Sequence, residues 1–247
     1  MKITAPVLAC LMAAAGACGE PLEKQSEVAK LRLLAISADQ PVATPGDDVT
    51  LGALWFDPFG GLPTFTWTWC PVADDAGDEC SEQESPLAEG PGVDEAVLVM
   101  PDVEIVLVRL RLCADAGCDP AIDSIKRVEA SSSSSPNANP GIAAFEVDGT
   151  AAAASPAVAA GEEVTVSVSA EAGAAESHDG TIEELIVSWF ATGGDFDEER
   201  TQGPEEERFD VAWTAPSDPG AVTMWAVLRD GRGGVSWSEA EVEVEPR

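Results

Sequence analysis

Short runs of β-branched and aromatic residues, separated by clusters of Gly, Pro and Asp, recur along the chain from about residue 30 onward. In the clearest run, 64–69, aromatic residues alternate strictly with threonines. A period of two places the two kinds of side chain on opposite faces, as in a half-buried strand. Many short strands between turn residues predict an all-β sandwich or barrel. In the first half of the chain, strands are predicted at 30–37, 49–56, 64–69, 96–100, 104–112 and 124–129.

The strand pattern is interrupted at 131–140, where a run of serines precedes a segment that contains two prolines. This composition cannot build a core, so the segment is predicted to link two domains, 29–130 and 141–247. In the second domain, strands are predicted at 142–147, 163–169, 184–192, 208–214, 221–229 and 235–245.

The two halves share a repeat. The segment GDDVTL, which begins at Gly46, lies 115 residues before GEEVTV, which begins at Gly161. Residues 97–101 lie the same distance before 212–216. Separate correspondences at one offset indicate that one kind of sandwich domain, with six or seven strands, occurs twice.

Two segments of the second half resemble a known family. Residues 184–195 (ELIVSWFATGGD) resemble the central Trp strand of polycystic-kidney-disease (PKD) and related immunoglobulin-like domains. Residues 222–236 (VTMWAVLRDGRGGVS) resemble their penultimate strand, glycine hairpin and last strand, and the glycines of the hairpin are expected to supply positive φ. In the first half, Cys113 and Cys118 replace the glycine hairpin. The resemblance implies two tandem immunoglobulin-like (PKD-like) β-sandwiches, and it specifies no activity.

The tryptophans are interpreted as core or near-core residues, because a large indole on a central strand fills a sandwich about 10 Å thick. The alternative is a row of exposed rings that stacks on sugars. Trp237, between two serines on the last predicted strand, has the best claim to exposure. The tryptophans interpreted as core are Trp55, Trp67, Trp69, Trp189, Trp213 and Trp225.

The N-terminus has the form of a secretory signal. Lys2 precedes an apolar stretch at 3–15, which is shorter than the roughly 20 residues of a membrane span. The stretch ends in Ala-Gly-Ala-Cys at 15–18, which resembles the lipobox of bacterial lipoproteins, although Leu or Val is commoner than Ala at its first position. The resemblance implies a signal peptide at 1–17, with an acylated Cys18 that begins a tether at 18–28.

Two alternatives to acylation are cleavage before Cys18 with simple secretion, and an uncleaved anchor. Gly19, rather than Asp, follows the cysteine and favours the outer membrane. The whole chain thus resembles an outer-membrane lipoprotein that carries two sandwich modules.

The remaining cysteines fit an oxidising compartment. If Cys18 is acylated, an even number remains beyond the signal. In an immunoglobulin-like sheet the Trp strand and the penultimate strand are antiparallel neighbours, so the cysteines that close them lie at opposite ends and cannot bridge. Of the three pairings that four cysteines allow, the resemblance therefore favours Cys70–Cys80 and Cys113–Cys118.

Composition excludes several functions. The formal net charge of −32 argues against a nucleic-acid partner, which needs a basic surface. The single histidine, His178, cannot build a multi-histidine metal site, and it lies in a predicted loop. No nucleophile elbow, P-loop or dinucleotide-binding glycine pattern is present, so the chain is not expected to be an enzyme.

Acidic runs are the most obvious chemical feature. Clustered carboxylates on a loop can bind calcium, and no cofactor other than calcium is expected. The alternative is a solvated acidic surface. The candidate calcium ligands are Asp74, Asp75, Asp78, Glu79, Asp195 and Asp197.

Two functions are therefore considered. The first is a non-enzymatic envelope lipoprotein, held in the membrane by its N-terminal lipid, whose modules bind or space an envelope protein or a glycan. The second is a carbohydrate-binding or carbohydrate-processing accessory protein, which a row of exposed aromatic residues would favour.

Overall fold

The computed structural model describes residues 24–72, 77–115, 117–131, 136–178, 180–203 and 207–247. Within these ranges the chain consists of β-strands and turns, with one 3₁₀ turn at Ala152–Ala154 and no α-helix. The first eight strands are β1 (Arg32–Ala38), β2 (Val42–Ala43), β3 (Asp48–Phe56), β4 (Thr64–Pro71), β5 (Ser85–Pro91), β6 (Glu95–Val99), β7 (Ile105–Cys113) and β8 (Ile122–Ala130). They are followed by β9 (Ile142–Val147), β10 (Thr150–Ala151), β11 (Ala157–Ala159), β12 (Glu163–Ala170), β13 (Ser177–His178), β14 (Thr181–Ile182), β15 (Leu185–Ala191), β16 (Asp195–Phe196), β17 (Arg200–Gly203), β18 (Arg208–Thr214), β19 (Gly220–Arg229) and β20 (Val235–Glu245).

Strands β1 to β8 form the first sandwich, which packs the sheet β1-β3-β6 against the sheet β2-β8-β7-β4-β5. The alternation in β4 places Phe65 and Trp67 inward, where both are fully buried. Trp67 lies opposite Leu110 of the antiparallel neighbour β7, and its indole donates to the carbonyl of Val93 at 2.9 Å. The Trp strand therefore occupies the middle of the core, as the sequence predicts.

The second sandwich packs the sheet β10-β9-β12-β18-β16 against the sheet β11-β20-β19-β15-β17. Trp189 and Trp213 fill its core. Gly194, with φ of +79°, passes so close to this core that a Cβ would lie 2.6 Å from the carbonyl oxygen of Thr214. Glycine is required there both for the left-handed backbone and for the space.

The repeat found in the sequence is also a repeat of strand pairing. Asp48 on β3 lies opposite Val99 on β6, and Glu163 on β12 lies opposite Thr214 on β18, which is the same pair shifted by 115 residues. In each sandwich a short strand, β2 or β11, also runs parallel to the last strand. The predicted fold class, all-β with tandem immunoglobulin-like sandwiches, is confirmed.

The structure contains strands that the sequence did not predict. The longest is β5, an edge strand that includes Pro86, Gly90 and Pro91. Proline and glycine weaken a strand signal, and an edge position tolerates proline because its N–H side is unpaired. The other unpredicted strands are β2, β10, β11, β13, β14, β16 and β17, each of at most four residues.

Candidate functional site

The outer face of β19 is apolar and is covered by the first sandwich. Alternate residues of β19, including Met224 and Ala226, face the core of the second sandwich. Trp225 and Val227 point the other way and are still buried, at 1% and 0% exposure. The ring of Trp225 lies 4.8 Å from that of Phe56 on β3. A strand with both faces covered is the clearest sign that the two sandwiches pack side by side.

We call this contact the seam. It comprises two clusters that mix residues of both sandwiches. The first centres on Trp225 and the second on Val227. The members from the first sandwich and its leading segment are Val28, Leu34, Ala35, Leu54 and Phe56, and those from the second are Phe190, Trp225, Val227, Val235 and Trp237.

Trp237 has the best claim to exposure among the tryptophans in the sequence, and in the structure it is partly buried. It packs in the seam cluster around Val227. Its ring would touch a Cβ placed on Gly52 of β3. The sequence around it shows only the outer face of a last strand, and nothing local reveals that another domain covers that face.

The segment before β1 is attached to the second sandwich. Val28 donates its backbone N–H to the carbonyl of Ala191 at 2.9 Å, and Ala191 donates to the carbonyl of Ser26 at 2.9 Å. Lys24 forms an ion pair with Asp195, to which it also donates a hydrogen bond. This hydrogen bond raises the pKa of the lysine. Of the residues predicted to be a tether, 26–28 therefore pair with the end of β15, and Lys24 pairs with β16.

A buried carboxylate organises the other margin of the seam. Asp230 is 3% exposed and accepts hydrogen bonds from the side-chain amide of Asn137 at 2.9 Å and from the backbone of Arg232 at 2.7 Å. It also accepts from the backbone of Gly234 at 2.9 Å, and a Cβ on Gly234 would lie 2.1 Å from the carboxylate. Gly231 supplies the expected positive φ, whereas Gly234 is needed for this close approach.

Two cations at the seam, one buried and one half-buried, are also held by hydrogen bonds. Lys126 on β8 donates to the carbonyl of Gly233 in the second sandwich. Burial lowers its pKa to about 8, against the opposing effect of the nearby Asp230. Arg229 donates to Leu34 O across the seam at 3.1 Å and to Ser188 at 3.0 Å, and burial lowers its pKa too.

The end of the connecting segment is held between the sandwiches. Asn139 donates to the carbonyl of Ala38 at 2.8 Å and accepts from the backbone of Val235 at 2.9 Å. Its amide thus links β1 of one sandwich to β20 of the other. Residues 136–140 consequently form part of the contact, in addition to connecting the two domains.

The two disulfides are those that the sequence analysis favoured, Cys70–Cys80 and Cys113–Cys118, with Cα separations of 5.5 and 4.7 Å. Cys70 lies opposite Leu107, whereas Cys113 lies opposite Thr64. The two cysteines thus close β4 and β7 at opposite ends. Each disulfide clamps the loop beside its own strand.

The candidate calcium ligands are not brought together among the described residues. Asp74 and Asp75 lie outside those residues, and Glu79 is exposed. Asp78 faces Arg127 at 3.4 Å. Asp195 is paired with Lys24, and Asp197 accepts a hydrogen bond from the backbone of Ala212. In the part of the chain that the structure describes, no three His, Cys, Asp or Glu residues are grouped to hold a metal ion.

One polar groove is lined by β4, β7 and β8 on the outer face of the first sandwich, with a volume of about 390 Å³. Arg111 forms a bidentate pair with Asp123, at 2.8 and 3.1 Å, which lowers the pKa of this aspartate. Arg109 Nε is buried and lies 3.4 Å from Glu84 Oε1, an ion pair that does not form a hydrogen bond. The groove offers paired donors and acceptors, and none of the described residues that line it is aromatic.

Cys18 and the predicted signal peptide lie outside the described residues, so the lipidation site remains a prediction. No helix in the described ranges is long and apolar enough to cross a membrane. His178 lies in the short hairpin of β13 and β14, opposite Thr181.

No protein-family model matches the chain, and no curated protein matches it. Among solved structures it is similar to the D0-D1 domain of Intimin, at 17% identity and a TM-score of 0.29, over 85% of this chain and 98% of that one. The D00-D0 domain of Intimin matches at 13% identity and 0.31, over 85% and 100%. The Yersinia pseudotuberculosis adhesin InvE matches at 12% and 0.29, over 86% and 58%. All these identities lie below 25% and all TM-scores below 0.5, so these similarities assign no function to the chain.

Proposed function

We propose that this chain is a non-enzymatic cell-envelope lipoprotein, anchored in the outer membrane through an acylated Cys18. Its two immunoglobulin-like modules act as one rigid binding or spacer element. The partner would be an envelope protein or a glycan. The observation that carries the proposal is the seam, because it fixes the angle between the modules.

The seam supports rigidity on energetic grounds. Domains of one chain move relative to each other by default, unless their interface is large and hydrophobic. Each large apolar side chain that is fully buried contributes roughly 1.5–3 kcal/mol. Trp225, Val227, Leu34 and Val28 are all at most 5% exposed and lie in the seam. Their combined burial disfavours independent motion of the modules.

The described residues also support a role without catalysis. Ionisable side chains at the seam serve structure: Arg229 donates across it to Leu34 O, and Asp230 holds its own hairpin and the connecting segment. The large tryptophans are packed inside the sandwiches or in the seam. This arrangement fits a scaffold, whose strongest sequence signals serve packing.

The anchor is tested by the intact mass of the chain extracted from membranes. We expect residues 18–247 plus the mass of the acyl groups. Replacing the acceptor in Cys18→Ser should release an unmodified chain into the soluble fraction or leave the precursor uncleaved. A wild-type chain that is soluble and of unmodified mass would contradict the proposal.

The carbohydrate-binding alternative has one feature in its favour, the polar groove of Arg109 and Arg111. Paired donors and acceptors can bind sugar hydroxyls, and the Nε of Arg109 is ion-paired with Glu84 without forming a hydrogen bond to it. A glycan array tests it with the wild-type chain and an Arg109→Ala variant. Binding that is lost in the variant would favour this alternative over a spacer.

A further inference from the structure

The loop between β3 and β4, residues 57–63, presents two large apolar side chains to solvent. Phe59 is 82% exposed and Leu62 is 65% exposed, the highest values for large apolar residues in the described part of the chain. Isolated exposed apolar residues are common on soluble proteins, but two on one loop tip mark a contact surface when other features agree.

The loop holds these side chains in a fixed turn. The two carboxylate oxygens of Asp57 accept the backbone N–H groups of Phe59 at 3.0 Å and of Gly61 at 2.9 Å. Leu62 sits against Gly92, where a Cβ would lie 2.8 Å from its Cδ1. Phe59 and Leu62 are thus displayed by a preorganised turn.

Two acidic side chains at this end of the first sandwich, Asp57 and Asp115, face their own loops. Thr64 lies opposite Cys113, so the β7–β8 hairpin stands beside the 57–63 loop. There Asp115 accepts the backbone N–H groups of Gly117 at 2.8 Å and of Cys118 at 3.1 Å. The carboxylates of Asp57 and Asp115 are thus both bound to backbone amides beside the apolar tip.

The described chain begins at the same end. Arg32 lies opposite Phe56, the last residue before the loop, and donates to the carbonyl of Lys24 at 3.4 Å. Five residues lie between Cys18 and Lys24, which makes six Cα–Cα steps. Such a segment spans at most about 20 Å, so an acyl anchor at Cys18 keeps this end close to the bilayer.

We infer that the 57–63 loop contacts the lipid surface to which the chain is anchored, with Phe59 and Leu62 entering the headgroup region. The inference rests on the proposed function, because it needs an anchored chain. Aromatic and aliphatic side chains on an interfacial element bury about 5–10 Å into the headgroup and acyl boundary.

The contact of the 57–63 loop with lipid would orient the two modules, which the seam holds together, on the membrane. An anchor alone leaves a module free to tumble about its tether. A second contact at the loop tip restricts that rotation and sets which surfaces face the bilayer and which face away.

The test uses the mature chain, residues 19–247, with a hexahistidine tag in place of residues 1–18. It is bound to phosphatidylethanolamine–phosphatidylglycerol vesicles that contain a nickel-chelating lipid. The four cysteines of this chain are in disulfides, so an introduced cysteine is the single free thiol. An environment-sensitive fluorophore is placed at Phe59→Cys, and the matched control is Val97→Cys, a 55% exposed residue on β6.

We expect a blue shift and a several-fold rise in fluorescence at position 59 on vesicle binding, and no change at position 97. Adding Leu62→Ser should reduce the rise several-fold, since both apolar side chains enter the interface. Equal responses at the two positions, or none at 59, would overturn the inference. So would a rise at 59 in solution that increases with protein concentration, because it would indicate a second copy as the occupant.

This design separates the two proposals, because the nickel tether replaces the acyl group. If the natural chain proves unacylated while position 59 still enters vesicles, the anchor is wrong and the loop contact stands. If the natural chain is acylated and position 59 stays in water, the loop contact is wrong and the anchor stands.

Discussion

Two glycines with the same φ differ in the space that is available for a side chain. Gly180 and Gly194 both have φ of +79°. A Cβ on Gly180 would meet nothing within 4 Å, whereas one on Gly194 would lie 2.5 Å from Trp213 Nε1. The sequence identifies both glycines as turn residues, and only the structure separates a conformational role from a steric one.

Gly180→Ala should lower the free energy of unfolding by roughly 1 kcal/mol, the cost of a left-handed backbone for alanine. Gly194→Ala should cost about 1–3 kcal/mol more, because the methyl group also displaces Trp213 from a packed core. Urea denaturation of the two variants measures the difference. Equal losses would show that the core yields to the added methyl at no cost.

Lys126 is a buried cation whose pKa of about 8 lies below the value near 10.4 of an unfolded lysine. Between these two pH values the unfolded chain binds more protons than the folded chain. Stability therefore rises with pH through this window as the cost of burying the charge disappears. Of the groups that face Lys126, Asp230 opposes the lowered pKa and Arg229 adds to it.

We expect the free energy of unfolding to rise by at most about 3 kcal/mol between about pH 8 and pH 10.5, from the difference in pKa. The free energy of unfolding of the Lys126→Met variant should not change with pH over the same window. Denaturation at a series of pH values measures both chains. Other groups contribute little to the pH dependence in this window. The chain has no tyrosine, and Lys24, whose pKa is raised by Asp195, releases its proton at higher pH. A wild-type chain without the rise would contradict the burial of Lys126.

At the scale of elements, strict alternation was the reliable signal. The strand predicted at 64–69 lies within β4, and the one predicted at 208–214 coincides with β18. Short edge strands were missed, since two to four residues cannot display a period. The run from Met224 to Leu228 carried a further signal, because continuous apolar residues are typical of a strand covered on both faces. It points to a covered face without identifying the cover.

The disulfides belong to this scale, because each closes one loop beside one strand. Their sequence separations of 10 and 5 residues are short. The loss of unfolded-state entropy is smaller for such loops than the roughly 3 kcal/mol expected for fifteen residues. We expect Cys113→Ser/Cys118→Ser to lower the free energy of unfolding by about 2 kcal/mol. The variant should keep β-type circular dichroism, and loss of the folded state would show that this disulfide stabilises the whole sandwich.

At the scale of the whole molecule, the sequence predicted two sandwiches but not their contact. The repeat and the interruption at 131–140 indicate the fold of each half and the boundary between the halves. They contain no information on which outer face meets which, since the seam joins residues as distant as Leu34 and Trp225. Only indirect signals of the contact exist in the sequence. One is that β19 is apolar on both faces, and the other is the pair of asparagines in the connecting segment, which form hydrogen bonds in the structure.

Limited proteolysis tests the contact between the modules. A protease site inserted between Ser131 and Pro136 allows the connection to be cut, and we expect the two fragments to elute together in gel filtration. The physical reason is that the seam buries Trp225, Val227 and Leu34, and that its hydrogen bonds, such as Arg229 to Leu34 O, do not pass through the cut.

The matched variants place a charge in or beside the seam. Trp225→Glu buries an unpaired carboxylate opposite Phe56, so the cut fragments should separate while each keeps its strands. Thr223→Glu changes a half-buried residue of the same strand that lies outside the seam clusters, and its cut fragments should stay together. If the wild-type fragments separate as readily as those of Trp225→Glu, the modules are independent and the spacer is flexible.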